Sequence, residues 1–465
     1  MNNIDIRSAE RTPVVYIAGI DGDADGATKA WLKNCIAAFA PLAVSAPGAI
    51  MADNTDYGRL SAEALNEFLV DADADAVLWA SGPDVGGERY FHCAVAHYPK
   101  VKYVGRDAGV FTLRTANTGE ATTGRLLAAN ILGATLSEIA AIRPAPSALI
   151  DACMHAMEAA LAKPLERELY LGTLERLQNL FAATGRNDQE AQPLRRAIEL
   201  NECLCGEVDG ADTAHHARLL EHRASCLAIL GARTGEVKDI LGAITALKRA
   251  APHIRDDAGC ARLDVTLANC KSALGALLDD AEILLSARDL LRGIIPVLYH
   301  QLAVESWAAA HASLSATCWH LYGVTGEFEH AAEALDAAHE ALTVYNAKTF
   351  PFAWAKAKGH LGLMLSTLGD DPENIDALYC GIDCLRDALG FYTPDRFPKD
   401  HAVTAANLSA ALCALAAHTN DADHLDSAEH CLLGALNIYK HGNDPKAVEI
   451  ERRLATVRRK TLLPQ

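Results

Sequence analysis

A chain of 465 residues with 42 Lys and Arg against 60 Asp and Glu, a formal net charge of −18, is longer than one hydrophobic core usually supports. Half of its residues are apolar and 22% are charged, the make-up of a soluble globular protein. The acidic balance excludes a broad nucleic-acid surface, which needs clustered cations to neutralise phosphate.

The N-terminus, M-N-N-I-D-I-R-S-A-E-R-T, lacks the apolar centre of a secretory signal, and no stretch reads as a bilayer span. Thirteen cysteines, an odd number scattered over helical segments, read as reduced thiols used for packing. The expected location is the cytoplasm.

Residues 1–143 have the grammar of a small α/β domain with a mixed sheet. Short apolar runs between Gly, Pro and Asp predict strands at 14–20, 42–46, 76–81, 89–96 and either 101–106 or 108–114. Apolar residues at helical spacing (Trp31, Cys35, Phe39; Leu65, Phe68, Leu69) predict helices at 28–39 and 60–71, with a closing helix at 119–134. The order strand, helix, strand, helix, three-strand meander, helix, with Asp73-Ala74-Asp75-Ala76-Val77-Leu78-Trp79 and the closing helix from Gly119 to Leu132, resembles the TolB-like N-terminal domain. The resemblance implies a bacterial-type protein in which such a domain stands beside tetratricopeptide repeats. Arg143-Pro144-Ala145-Pro146 reads as a hinge, and a helix at 147–162 opens the second domain, 144–465.

That second domain is periodic. Leu220, Leu267, Leu314, Leu361 and Leu408 are each 47 apart (267 − 220 = 47), and so are Leu227, Leu274, Leu321, Leu368 and Leu415. The two columns are seven residues apart, two helical turns, which puts them on one face. Leu342, Leu389 and Leu436 mark a second helix in each unit, as do Tyr345, Tyr392 and Tyr439, and Phe350-Pro351 is matched by Phe397-Pro398. One helix pair cannot bury its own apolar face, so the units must stack into an α-solenoid.

His360-Leu361-Gly362 through Leu368-Gly369, and Ala-Leu followed by Tyr at 341–345, 388–392 and 435–439, resemble the tetratricopeptide (TPR) repeat over roughly 166–440. The unit is 13 residues longer than the 34-residue standard (47 − 34 = 13), and Gly362 is matched by Ala268, Ser315 and Ser409, so no partner specificity carries over. The last helix, after Pro445, reads as a cap, with its basic run solvating the helix and favouring its C-terminal dipole.

Asp21, Asp23, Asp25 and Gly26 match positions 1, 3, 5 and 6 of a calcium loop and mark a candidate Ca or Mg site. Position 12, which should carry a bidentate Glu, is Leu32. The competing reading is a polar turn in which Asp25 or Thr28 caps the next helix. Cys203 with Cys205, Cys380 with Cys384, His222 with Cys226, and His215 with His216 are the closest metal-like spacings, but none forms the two convergent pairs of a zinc site. No nucleophile elbow, His-Glu-x-x-His helix, Walker or dinucleotide loop is present, so no catalytic residue is assigned.

What remains is the inner surface of the first helices. Arg262 and Lys356 share one column, Asp264, His311 and Lys358 a second, and Thr266, Ser313, His360 and Asn407 a third. Arg262, His311, Lys356, Lys358, His360 and Asn407 are the expected partner-binding residues, with Lys356, Lys358 and His360 as a cationic patch for an acidic peptide. The leading expectation is a non-enzymatic cytoplasmic scaffold without a cofactor, binding a protein, a peptide or a second copy of itself, with no nucleic acid or membrane. Two further readings stay open. One is a cation- or nucleotide-responsive module in the α/β domain, and the other is an enzyme with an unfamiliar site there.

Overall fold

A computed structural model describes residues 15–20, 30–31, 34–35, 76–81, 89–95, 109–115, 121–142, 147–187, 191–208, 212–300, 304–395, 397–441 and 446–462. One compact unit runs to Thr234 and includes Lys248–His253; the other holds Gly235–Leu247 and everything from Ile254 onward.

In the first unit, β1 (Val15–Ile20), β2 (Ala76–Ser81), β3 (Arg89–Val95) and β4 (Gly109–Thr115) form a sheet in sequence order. β1 pairs with β2 in parallel; β2, β3 and β4 form an antiparallel meander, with Leu78 opposite Cys93 and Cys93 opposite Phe111. β4 occupies the second of the two alternatives read from the sequence. The elements expected at 42–46, 60–71 and 101–106, the hinge at 143–146 and most of the helix at 28–39 lie outside the described residues.

α1 (Ala121–Ile142) runs eight residues past the expected end at 134 (142 − 134 = 8), because A-T-L-S-E-I-A-A-I contains neither Gly nor Pro to stop it. Its middle, from Leu126 to Leu132, is apolar on all sides except Asn130, and every residue there is buried. α2 (Ser147–Leu161) and α3 (Arg167–Asn187) pack on it, and α3 also touches β4. Val15, Ala76, Leu78 and Cys93 of the sheet join Leu127, Ile131, Leu136, Met157, Leu177 and Leu180 in one core. α4 (Gln192–Glu207) and α5 (Thr213–Thr234) continue the stack.

In the second unit, after α6 (Val237–Ala250), helices pair as α7 (Asp257–Leu278) with α8 (Ala281–His300), α9 (Val304–Thr325) with α10 (Phe328–Val344), α11 (Pro351–Leu368) with α12 (Ile375–Phe391), and α13 (Pro398–Thr419) with α14 (Ala422–His441). α15 (Lys446–Leu462) closes on α14. This is a stack of helix–turn–helix repeats. Of the ten phased leucines, eight are buried, and Leu267 and Leu368 are half-buried; Tyr345, Tyr392 and Tyr439 are all buried.

The repeat extends to the backbone. Phe350 and Phe397, which precede the prolines at the starts of α11 and α13, adopt the same dihedrals, φ −131° and ψ 58°. Proline there fixes φ at a helical value where its missing N–H has no helical partner to lose. Asp279, Gly326 and Asn420 share one phase (326 − 279 = 47; 420 − 326 = 94 = 2 × 47), and all three turn their chains with positive φ, at 51°, 72° and 54°.

A second column lies beneath the leucines. Ala287, Ala334, Gly381 and Ala428 are 47 apart on the second helices, and the three alanines are fully buried. Ala268, Ser315, Gly362 and Ser409 form a small-residue column of the same phase on the first helices. In α11–α12 the two columns meet, since a Cβ on Gly362 would lie 2.9 Å from the Gly381 carbonyl oxygen.

One expectation is corrected. Among the described residues, α13 is long and apolar enough to cross a membrane. Its Leu408, Leu412 and Leu415 instead pack with Leu432, Leu436, Ile450 and Leu454 from α14 and α15, which accounts for its apolarity as that of a core helix.

Candidate binding surface of the repeats

The side chains singled out by phase stand on α7, α9, α11 and α13, and the structure gives them unequal roles. Arg262 and Lys356 are exposed, and Asn407 is half-buried. His311 is half-buried with its ring edge-on to Trp307, centroids 4.3 Å apart; burial lowers its pKa, and Glu340 only partly opposes this. Asp264 is half-buried, and burial raises its carboxyl. Thr266 donates to its own helix, to the Arg262 carbonyl at 2.9 Å.

The expected cationic patch is weaker than its composition. Lys358 Nζ lies 2.9 Å from Asp387 Oδ2 of α12, and although burial pulls its pKa down, the hydrogen bond and charge of Asp387 carry it above the ordinary lysine value. Its charge is spent within the helix pair. His360 is pushed down to about 4, chiefly by burial and further by His320 and Lys356, so its imidazole is neutral at pH 7.

The cations missed as a site stand on α15. A cleft of about 520 Å³ opens between α13 and α15, with Leu432 of α14 at its base. One wall carries Arg452, Arg453, Thr456 and Lys460; the other carries Ser409, Ala410, Cys413, Ala414 and Ala417, with Asp370 on the rim. The 47-residue phase was the available signal. Lys358, Ala405 and Arg452 form one column (452 − 405 = 405 − 358 = 47), and Lys460 follows Cys413 by the same step (460 − 413 = 47). Two other clefts, of about 560 and 370 Å³, mix acids and bases on their walls; in the smaller, Arg292 Nε already meets Glu333 Oε1 at 2.6 Å.

The metal-like spacings do not converge. Among the described residues no three His, Cys, Asp or Glu side chains are placed to hold an ion. Asp21, Asp23 and Asp25 lie outside the described residues. Cys380 is exposed while Cys384 is buried, and Cys203 is exposed while Cys205 is half-buried, so three of these four thiols are not the fully buried packing groups expected. His215 is drawn to Glu175 at 3.6 Å and Asp212 at 3.9 Å.

His222 and Cys226 do meet, Sγ to Nδ1 at 4.0 Å, and Gln178 Nε2 donates to the same ring nitrogen. Burial, then Arg186, lowers His222 to about 4, while burial raises the Cys226 thiol to about 11. That is a neutral imidazole beside a neutral thiol, the reverse of the thiolate–imidazolium pair a nucleophile needs. Cys226 is therefore expected to react with iodoacetamide at pH 7.5 at least tenfold more slowly than exposed Cys203, read by mass spectrometry of the native chain. Equal rates would contradict the burial.

Stacked helix pairs with a phased polar surface define the class, a helical-repeat protein. No family model matches the chain, and no curated protein matches it. Among solved structures it is similar to a crystal structure of Rap protein complexed with Competence and Sporulation Factor, at 14% identity over 75% of this chain and 89% of that one, with a TM-score of 0.43. It is also similar to a circular tandem repeat protein with novel repeat topology, at 14% identity over 73% and 85%, with a TM-score of 0.23.

Proposed function

We propose that the chain is a non-enzymatic scaffold whose repeats bind a protein or peptide partner through the polar side chains of their first helices. The observation that carries this is the separation of roles along α7, α9, α11 and α13. Six of their eight phased leucines are buried and the other two half-buried, while Arg262, His311, Lys356, His360 and Asn407 stand in separate columns, exposed or half-buried. An array built this way offers an extended, repeating surface rather than one enclosed pocket, which suits a chain-like partner.

The finer readings belong to the same proposal: a TPR-type repeat over the second domain, 144–465, and a TolB-like domain over 1–143. The first is supported by the Leu-Gly pair of α11, where Gly362 permits the close helix contact. The second rests on the resemblance of residues 73–79 and 119–132 alone. The scaffold acts in the cytoplasm and needs no cofactor.

Affinity capture with the full chain tests the reading. A partner, or a second copy of the chain, is expected with wild type, and the double variant Arg262→Glu/Lys356→Glu should cut its capture by at least tenfold, since reversing rim charges weakens and slows association. No partner and no self-association, or capture indifferent to the reversal, would overturn it.

A further inference from the structure

We propose that the cleft between α13 and α15 is the docking site for an acidic peptide segment carrying two carboxylates with small apolar residues between them. This rests on the reading of the repeats as a partner-binding array and names the chemistry of one occupant.

The first argument is charge. The chain as a whole carries 42 basic against 60 acidic residues, yet from Lys446 to Lys460 six are basic (Lys446, Arg452, Arg453, Arg458, Arg459, Lys460) and two acidic (Glu449, Glu451). Three of those cations line the cleft. Arg452, Thr456 and Lys460 are spaced i, i+4, i+8, which puts them on one face of α15. Among the described residues no ion pair involves Lys460. Arg452 is exposed, and its guanidinium donates to Glu449 one turn earlier, at 2.7 and 3.0 Å. An exposed pair of that kind contributes little and yields readily to a better acceptor.

The second argument is shape. Arg453 reaches across and donates to the Ala406 carbonyl at 2.6 Å, which ties the basic wall to α13. Facing it, Ala410, Ala414 and Ala417 offer no side chain longer than a methyl, so a peptide main chain can lie close to the helix. Leu432 and Val457 supply an apolar base. Burial raises the Cys413 thiol on this wall, while Lys460, a hydrogen bond with Ser409 and Arg453 pull it back. A volume of about 520 Å³ falls in the range of small-ligand and short-peptide sites.

The spacing specifies the ligand. Eight residues of α15 separate Arg452 from Lys460, which is about 12 Å along the axis. An extended peptide advances about 3.3 Å per residue, so its two acids should stand about four positions apart. Asp370 on the rim disfavours a uniformly acidic ligand.

The test uses the full chain and fluorescence anisotropy with a labelled ten-residue peptide bearing two glutamates four positions apart among alanines, and its Gln/Gln counterpart. The glutamate peptide should bind at least tenfold more tightly and weaken with salt. Arg452→Glu/Lys460→Glu should abolish the difference. Ala414→Trp, which fills the cleft without touching its charges, should weaken binding at least tenfold as well. Equal binding of the two peptides, or unchanged binding by both cleft variants, overturns the assignment, as does tighter binding of a labelled single-stranded DNA. If Arg262→Glu/Lys356→Glu loses binding while the cleft variants keep it, the scaffold reading stands and this cleft falls. If the glutamate peptide does not bind at all, the cleft assignment falls, and partner capture decides the scaffold reading independently.

Discussion

Gly381→Val is expected to destabilise the second unit by about 3 kcal/mol, the upper end of the usual cost of overpacking. A Cβ at Gly381 would lie 2.5 Å from Ser366 Oγ, 2.7 Å from the Ser366 nitrogen and 2.9 Å from the Gly362 carbonyl oxygen. Two of those three neighbours are backbone, which cannot rotate aside as a side chain can. Valine adds two further methyl groups where the first already does not fit, so α11 and α12 must separate, and the apolar seam around Leu361, Leu378 and Leu385 opens with them. For a unit of this size the midpoint of thermal unfolding should fall by roughly 6–12 °C. Gly434→Ala is the internal control: a Cβ there meets nothing within 4 Å, and the residue lies inside α14, so stability should rise by about 0.5–1 kcal/mol. Thermal melts followed by circular dichroism decide. A Gly381→Val protein melting with wild type would mean that the two helices are not in close contact.

That small-residue seam shows what could be read in the sequence and what could not. Leucine columns stand out because Leu is large and selected for volume at each repeat. The column of Ala287, Ala334, Gly381 and Ala428 carries the same phase, but alanine is so common in this chain that its recurrence is invisible without knowing which helix faces which. Phe350-Pro351 and Phe397-Pro398 were legible as a recurring pair, and the structure shows that their prolines open α11 and α13.

The candidate site was harder. Counting Lys356, Lys358 and His360 as one patch assumed that like columns keep their charge. Asp387 sits on another helix, 29 positions away in the chain from Lys358 (387 − 358 = 29), and no local pattern announces that pairing. The neutrality of His360 is likewise set chiefly by burial and by His320 of α9, neither of which its own helix announces. Arg452 and Lys460 were in phase throughout, but a basic run near a helix C-terminus has a sufficient local explanation in the helix dipole, and the facing wall of small residues comes from α13.

Acidification from pH 7 to 5 is expected to destabilise both units, through half-buried histidines whose imidazoles desolvation keeps neutral, most strongly His222 in the first and His360 in the second. His222 lies among Gln178, Cys226 and Arg186 in the first; His360 lies near His320 and Lys356 in the second. Both are held at about 4 instead of 6.5, mainly by burial. Between those values the unfolded chain binds a proton that the folded chain does not, so protonation favours unfolding. The contribution is therefore complete above pH 6.5 and is lost progressively as the pH falls toward 4. Its full size is on the order of 3 kcal/mol for each histidine, of which about 2 kcal/mol should already be gone at pH 5. Most exposed carboxylates are still ionised at that pH, which keeps their titration from dominating the result. Urea midpoints at pH 7 and pH 5 measure the loss. His222→Gln and His360→Gln, which keep a hydrogen-bonding side chain but cannot titrate, should each remove only the share of their own unit. A wild-type midpoint unchanged between the two pH values, or glutamine variants that keep the wild-type slope, would show that these imidazoles are hydrated. The polar columns of α11 would then carry the extra charge near neutral pH that the buried geometry denies them.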